Sequence, residues 1–113
     1  MIKGEIDIRE QLIRELIKKR VFWSYRKPEP HSIPDDIIIE KTLINLDIED
    51  INKLFLIFPK LKIRNIWNDR LVINDAQFHS MNLLFADLYF NIKDPEGYLE
   101  RHLHKSNKKL QLS

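Results

Sequence analysis

The region 47–72 constrains the fold most, because it carries two helical patterns of apolar residues separated by a proline. Large apolar residues of the first pattern recur at i, i+3, i+4 and i+7, which places them on one face of a helix. They are Ile51, Leu54, Phe55 and Phe58. Pro59 lacks a backbone N–H and disfavours helical geometry at the residue before it. We therefore expect a helix over 47–58, with Asp47 as its N-cap.

The second pattern follows Pro59 and predicts a helix over 60–72. Its apolar positions are Ile63, Ile66, Trp67 and Leu71. Its polar face carries Lys60, Lys62, Arg64, Asn65 and Asn68. The two helices are expected to form a helix-turn-helix-like pair that shares one core.

Helical patterns also flank this pair, so the predicted fold is all-α: a single compact bundle of five or six helices. Asp7 begins a pattern typical of a capping box, and a helix should start there. A second helix should start at Pro34 and run through Ile37–Ile39, although three isoleucines alone would suit a strand. A helix over 75–91 should lie across the central pair, and a short one should begin at Asp94.

We expect one helical domain over 1–104 and a flexible basic tail over 105–113, because the tail is polar and lacks an apolar pattern. The N-terminus has no apolar core of a signal peptide, and no apolar run is long enough to span a bilayer. The protein is therefore expected to be cytoplasmic and not bound to membranes. A net charge of +2 is too small to indicate nucleic-acid binding by itself.

The residues that could carry catalysis do not combine into a site, so we expect no enzyme, metal or cofactor. The chain has no cysteine, and its two glycines exclude a glycine-rich phosphate loop. His102 and His104 would point apart on a helix, and the neighbours His79 and Ser80 would not face each other. The residues Asp35 and Asp36 are explained as the acidic start of a helix.

The segment 26–31 has an arginine and a histidine at the spacing of a family of small helical ribonucleases, the HEPN domains. In that family the motif lies on a helix, where both side chains can reach a phosphodiester. Here Pro28 and Pro30 stand between Arg26 and His31, which excludes a helix. The match is therefore interpreted as accidental.

An aromatic cluster precedes this proline-containing loop and has two interpretations. Its members are Phe22, Trp23 and Tyr25. Aromatic residues in this position often anchor a loop to the core. Exposed, they would instead form a patch that binds a partner, since large aromatic residues dominate many protein interfaces.

The helix over 60–72 supports a different hypothesis, a DNA-binding transcriptional regulator that acts as a homodimer. Its polar face could contact phosphates and base edges, as the recognition helix of a helix-turn-helix does. Two features oppose this hypothesis: the turn has no glycine, and the acidic Asp69 lies beside the basic residues.

Several short motifs resemble a family of small helical bacterial proteins of unknown function. They are Phe22-Trp23, Ile38-Ile39-Glu40-Lys41, Glu49-Asp50-Ile51-Asn52-Lys53-Leu54, and Ile63 with Trp67 and Leu71. Members of that family are often encoded beside nucleotidyltransferase-like toxins of the abortive-infection type. The resemblance implies an antitoxin-like or accessory role, and it assigns no catalytic residue.

Together these patterns favour a small protein-binding module that occludes its partner with a helical surface. The aromatic cluster would supply the anchors of that surface. The charged rim would come from the basic residues of the 60–72 helix.

Overall fold

The computed structural model describes residues 2–21 and 32–102, with side chains from Ile8 onward in the first of these segments. Every regular element in these two ranges is helical, so the predicted all-α class is confirmed. Five α-helices have the bounds α1 Ile2–Lys18, α2 Asp35–Asn45, α3 Ile48–Ile57, α4 Lys60–Trp67 and α5 Asp75–Leu88. A π-helical segment covers Asn68–Val72, and a further helix, α6, covers 95–102.

The chain divides into two compact units, Met1–Ile63 and Arg64–Ser113, and the division falls within α4. Each unit is described by itself below. The expected single domain over 1–104 and the flexible tail over 105–113 stay predictions, and the tail lies outside the described residues. None of the helices in the described ranges is long and apolar enough to cross a membrane.

Helix α1 begins earlier than expected: it starts at Ile2, and Asp7 lies inside it, so the predicted start at Asp7 is wrong. An acidic residue three positions before a glutamate also fits a helix interior. No proline precedes Asp7 to stop the helix from extending towards the N-terminus. At the other end Arg20 has a left-handed φ of 54°, and the N–H of Val21 donates to the carbonyl of Leu16. This hydrogen bond and the left-handed residue are those of a Schellman motif.

The first unit is built on mutual packing of α1, α2 and α3. The isoleucine run lies in α2 as a helix, as predicted, because its side chains and those of the next turn are buried together. Arg9 of α1 donates to the carbonyl of Ile33 at 2.6 Å and to the Asp35 carboxylate at 3.2 Å, which ties α1 to the start of α2. The core of this unit includes Leu12, Ile13, Leu16, Ile38, Ile39, Leu43, Ile51, Leu54 and Ile63.

Helix α3 has the ends that the sequence predicts. The Asp47 carboxylate accepts the N–H of Asp50 at 3.0 Å and is the N-cap. Phe58 takes an extended conformation, with φ −124° and ψ 146°, directly before Pro59. The proline therefore separates α3 from α4, as expected from its lack of an N–H and its restriction of the preceding residue.

The second predicted helix, 60–72, is only partly α-helical. After Trp67 it widens into the π-segment, in which the N–H of Ile73 donates to the carbonyl of Asn68. A π-turn contains one more residue than an α-turn. The wider turn coincides with a side-chain hydrogen bond to the Leu71 carbonyl, described below.

Helix α5 starts after Asn74, as predicted, but the Asn74 side chain does not cap it and instead donates to the carbonyl of Arg70. Phe78 has non-helical angles, φ −117° and ψ 21°, which kink the helix. The helix ends at Leu88 and not at residue 91, because Asn91 adopts a left-handed φ of 49°. The last helix starts as expected after Asp94, whose carboxylate accepts the N–H of Gly97 at 3.2 Å.

Candidate protein-binding surface

The exposed side of α5 carries apolar residues where a surface helix is usually polar. Leu84 and Leu88 are 47% and 50% exposed, and the half-buried Met81 lies one turn earlier. Their spacing of i, i+3 and i+7 places all three on one side of the helix, and we call them the apolar stripe. Exposed apolar residues that cluster in this way are typical of interaction surfaces.

The chain around the stripe is almost free of charge. No lysine or arginine occurs between Arg70 and Lys93, although the whole chain has 19 such residues. The acidic residues of this interval are Asp75, which is buried, and Asp87, which is exposed. A surface with few charges loses little hydration energy when a partner covers it, and the cores of protein interfaces are depleted in charge for this reason.

Buried hydrogen bonds hold α5 in place from its inner side, and Asn82 is their centre. Its side-chain amide donates to the Leu71 carbonyl at 3.0 Å and to the Asp75 carboxylate at 2.9 Å. Its side-chain oxygen accepts the indole N–H of Trp67 at 3.0 Å. Because Asn82 is fully buried, these partners replace water, and the network fixes α5 against the π-segment.

The network reaches the surface at His79. The Nδ1 atom of this imidazole lies 2.8 Å from the Asp75 carboxylate, and the side chain is 49% exposed. Such a pair could orient the imidazole for proton transfer. An open hollow of about 460 Å³ adjoins it on α5 and has the size to receive a partner's side chain. It is lined by Ala76, Gln77, Phe78, His79, Ser80, Met81 and Leu84.

A stack of aromatic rings packs beside the network and involves two of the predicted rim residues. Trp67 stacks on Phe90 with ring centroids 4.8 Å apart, and on Tyr98 at 5.8 Å. The guanidinium of Arg64 lies 5.8 Å from the Phe90 ring centroid and 5.6 Å from that of Tyr98. Asn68 accepts the Tyr98 hydroxyl at 2.9 Å. The side chains of Arg64 and Asn68 therefore contribute to packing.

The other three predicted rim residues differ in their surroundings. The Lys62 ammonium lies 3.6 Å from the Asp35 carboxylate and 5.9 Å from the centroid of the Phe58 ring. Lys60 and Asn65 are exposed. The five candidates thus do not form one free basic surface, since three of them contact other residues of the chain.

The predicted aromatic anchors Phe22, Trp23 and Tyr25 lie outside the described residues, and so do Arg26 and His31 of the ribonuclease-like spacing. Their roles stay predictions. His104 also lies outside, whereas the ring of His102 packs on Tyr98 with centroids 4.3 Å apart. Within the described ranges no cluster of three or more histidine or acidic side chains could hold a metal ion.

Analysis of the sequence missed the network of Asp75, His79 and Asn82. Their spacing was a usable signal, because residues at i, i+4 and i+7 lie on one side of a helix. The partners Trp67 and Leu71 are distant in sequence, and no local pattern indicates them. The exposure of Leu84 and Leu88 was equally hidden, since α5 has apolar residues around most of its circumference.

Comparison with protein-family models, with curated proteins and with solved structures found no match to this chain.

Proposed function

We propose that this protein is a small protein-binding module and that α5 presents its docking surface. The observation that carries the proposal is the pair of half-exposed leucines, Leu84 and Leu88, on a helix fixed from behind by buried hydrogen bonds. A rigid helix loses little conformational entropy when it binds, which increases affinity. The adjoining hollow could receive an apolar side chain of the partner.

We further propose that the partner is a nucleotidyltransferase-like toxin and that this chain acts as its antitoxin or accessory protein. This part rests on the sequence resemblance alone. The near absence of charge around the stripe requires a matching apolar patch on the toxin, because a charged patch would lose its hydration without compensation. Phe22, Trp23 and Tyr25 stay candidates for additional anchors.

The alternative, a helix-turn-helix-like DNA-binding regulator, has weaker support. Arg64 and Asn68 pack on the rings of Phe90 and Tyr98, and Lys62 lies against Asp35, which leaves Lys60 and Asn65 as exposed candidates. DNA binding would weaken steeply as salt increases, because counterions are released from the phosphates. If DNA is bound by this helix, Lys60→Glu should lower the affinity and the salt dependence.

The proposal is tested with three baits from the native host: the wild-type protein, Leu84→Lys and Leu56→Lys. Leu56 is the matched control, since it is an even more exposed leucine, at 68%, in the first unit. A protein retained by the wild type is identified, purified and titrated against all three. We expect Leu84→Lys to weaken its binding by at least about tenfold, and Leu56→Lys to have no effect.

Circular dichroism and urea unfolding of the three baits establish that each remains folded. Equal affinity of the partner for the wild type and Leu84→Lys would overturn the proposed surface. Loss of binding in both variants would also contradict it, because the contact would then not be specific to α5.

A further inference from the structure

We infer that the apolar stripe of α5 pairs with the same stripe of a second copy of this chain, in an antiparallel arrangement. The inference rests on the proposed function, because it takes the stripe to be a docking surface. It adds the identity of one occupant and the orientation of the two helices.

The first argument is the charge of this surface. A two-fold interface brings the same surface of both copies together, so every charge meets a surface that carries that charge too. Most surfaces of this chain carry many lysines and arginines, and would repel their own copies. The interval between Arg70 and Lys93 has none, so the stripe can meet itself without repulsion between cations.

The second argument is the placement of residues along α5. A two-fold axis next to Leu84 brings the two Leu84 side chains together and sets Met81 of one copy opposite Leu88 of the other. In this register the exposed Ser80 of one copy lies near the exposed Asp87 of the other. A hydroxyl can donate to a carboxylate, so the only exposed charge of α5 gains a donor twice.

A parallel pair would be less favourable for the same reason. It would set Asp87 beside Asp87 and bring two carboxylates together at an apolar contact. The distribution of polar residues next to the stripe therefore selects the antiparallel orientation.

The size of the surface sets the strength of the pair. Helix α5 has 14 residues and is about 21 Å long. Three turns of helix bury less than the roughly 800 Å² per partner of a standard interface. The dimer should therefore be weak and depend on concentration, and a partner with a larger matching surface could displace the second copy.

Sedimentation equilibrium of the full chain over a range of concentrations tests the inference. We expect a monomer–dimer equilibrium for the wild type, at least a tenfold larger dissociation constant for Leu84→Lys, and an unchanged one for Leu56→Lys. A wild-type protein that stays monomeric throughout would overturn the inference. An equally strong effect of Leu56→Lys would also overturn it, because the contact would lie elsewhere.

The variant Ser80→Lys tests the orientation. In the antiparallel pair the introduced ammonium meets Asp87 of the other copy, and the dimer should tighten by about two- to tenfold, with the gain lost at high salt. In a parallel pair the introduced ammonium groups would meet each other, and the dimer should weaken. Weakening or no change would therefore contradict the antiparallel orientation.

The two proposals can fail separately. A monomeric wild type that binds an identified partner in a Leu84-dependent manner would retain the docking function and remove self-association. Equal retention of a partner by all baits, together with a Leu84-dependent dimer, would keep the pairing of copies and remove the role of α5 in binding that partner.

Discussion

The indole nitrogen of Trp67 donates a hydrogen bond to the side-chain oxygen of Asn82 at 3.0 Å, and both side chains are fully buried. The two residues are 15 positions apart and belong to different helices, α4 and α5. The bond satisfies a polar atom on each side that burial removes from water. It therefore links the aromatic stack of the second unit to the helix that carries the apolar stripe.

Replacing Asn82 by alanine should destabilise the protein by about 2–4 kcal/mol. The change leaves the Trp67 N–H, the Leu71 carbonyl and the Asp75 carboxylate with one buried partner fewer, and each such loss costs about 1–3 kcal/mol. Urea unfolding measures the difference. The exposed Asn65→Ala is the control and should change stability by less than about 0.5 kcal/mol. A similar effect of both variants would show that the network adds little.

Replacing Thr42 by valine should stabilise the protein by about 1 kcal/mol. The Thr42 side chain is fully buried in α2, and its hydroxyl oxygen has no hydrogen-bond partner in the described part of the chain. Valine keeps the shape and removes the cost of burying an unpaired hydroxyl. Thr42→Ser keeps the hydroxyl and removes the methyl group, so it should lower the melting temperature. A melting temperature that falls for valine as well would indicate that the hydroxyl is satisfied in solution.

Replacing Arg20 by glycine should stabilise the protein by about 0.5–1 kcal/mol. Arg20 has a φ of 54° at the end of α1, where a residue with a Cβ atom is strained and glycine is not. Lys19→Gly is the matched control, because no left-handed φ is present there and glycine should destabilise by a similar amount. Chemical denaturation of both variants should give free-energy changes of opposite sign. Equal signs would contradict the assigned strain.

The stability of the protein should fall at alkaline pH in part through Tyr89. Partial burial raises the pKa of its phenol above the ordinary value of 10.0. The neutral phenol is therefore favoured in the folded state, its contribution is complete below about pH 10, and it is lost as the pH rises through the folded pKa. Tyr89→Phe should lose less stability than the wild type between pH 9.5 and about 11.

Absorbance titration of the phenols, folded and in urea, checks the direct effect on Tyr89. The difference between the folded wild type and Tyr89→Phe gives the titration of this residue. It should lie at higher pH in the folded protein than in urea, and coincident curves would contradict the raised pKa.

The local features of this fold could be predicted from sequence, because their causes lie within a few residues. Asp47 caps α3 because its carboxylate is three residues from the Asp50 N–H, and Pro59 ends the helix by its covalent structure. The helical state of the isoleucine run followed from its length and periodicity. Asp7 failed as a helix start because its short pattern fits the inside of a helix equally well.

The environment of the site could not be predicted, because it depends on residues distant in sequence. Arg64 and Asn68 have the spacing of an exposed polar face, yet they contact Phe90 and Tyr98 some 26 to 30 positions later. Lys62 similarly meets Asp35 across 27 positions. The π-segment was also hidden, because one extra residue over five positions hardly changes an apolar pattern.

The π-segment makes this part of the chain sensitive to changes in length. Deleting one residue within Asn68–Val72 would let the helix continue as a regular α-helix and would rotate all that follows by about 100° relative to Trp67. Asn82 could then no longer reach both the indole and the Leu71 carbonyl. Substitutions on the surface of this segment should be tolerated, whereas single-residue deletions there should be strongly selected against.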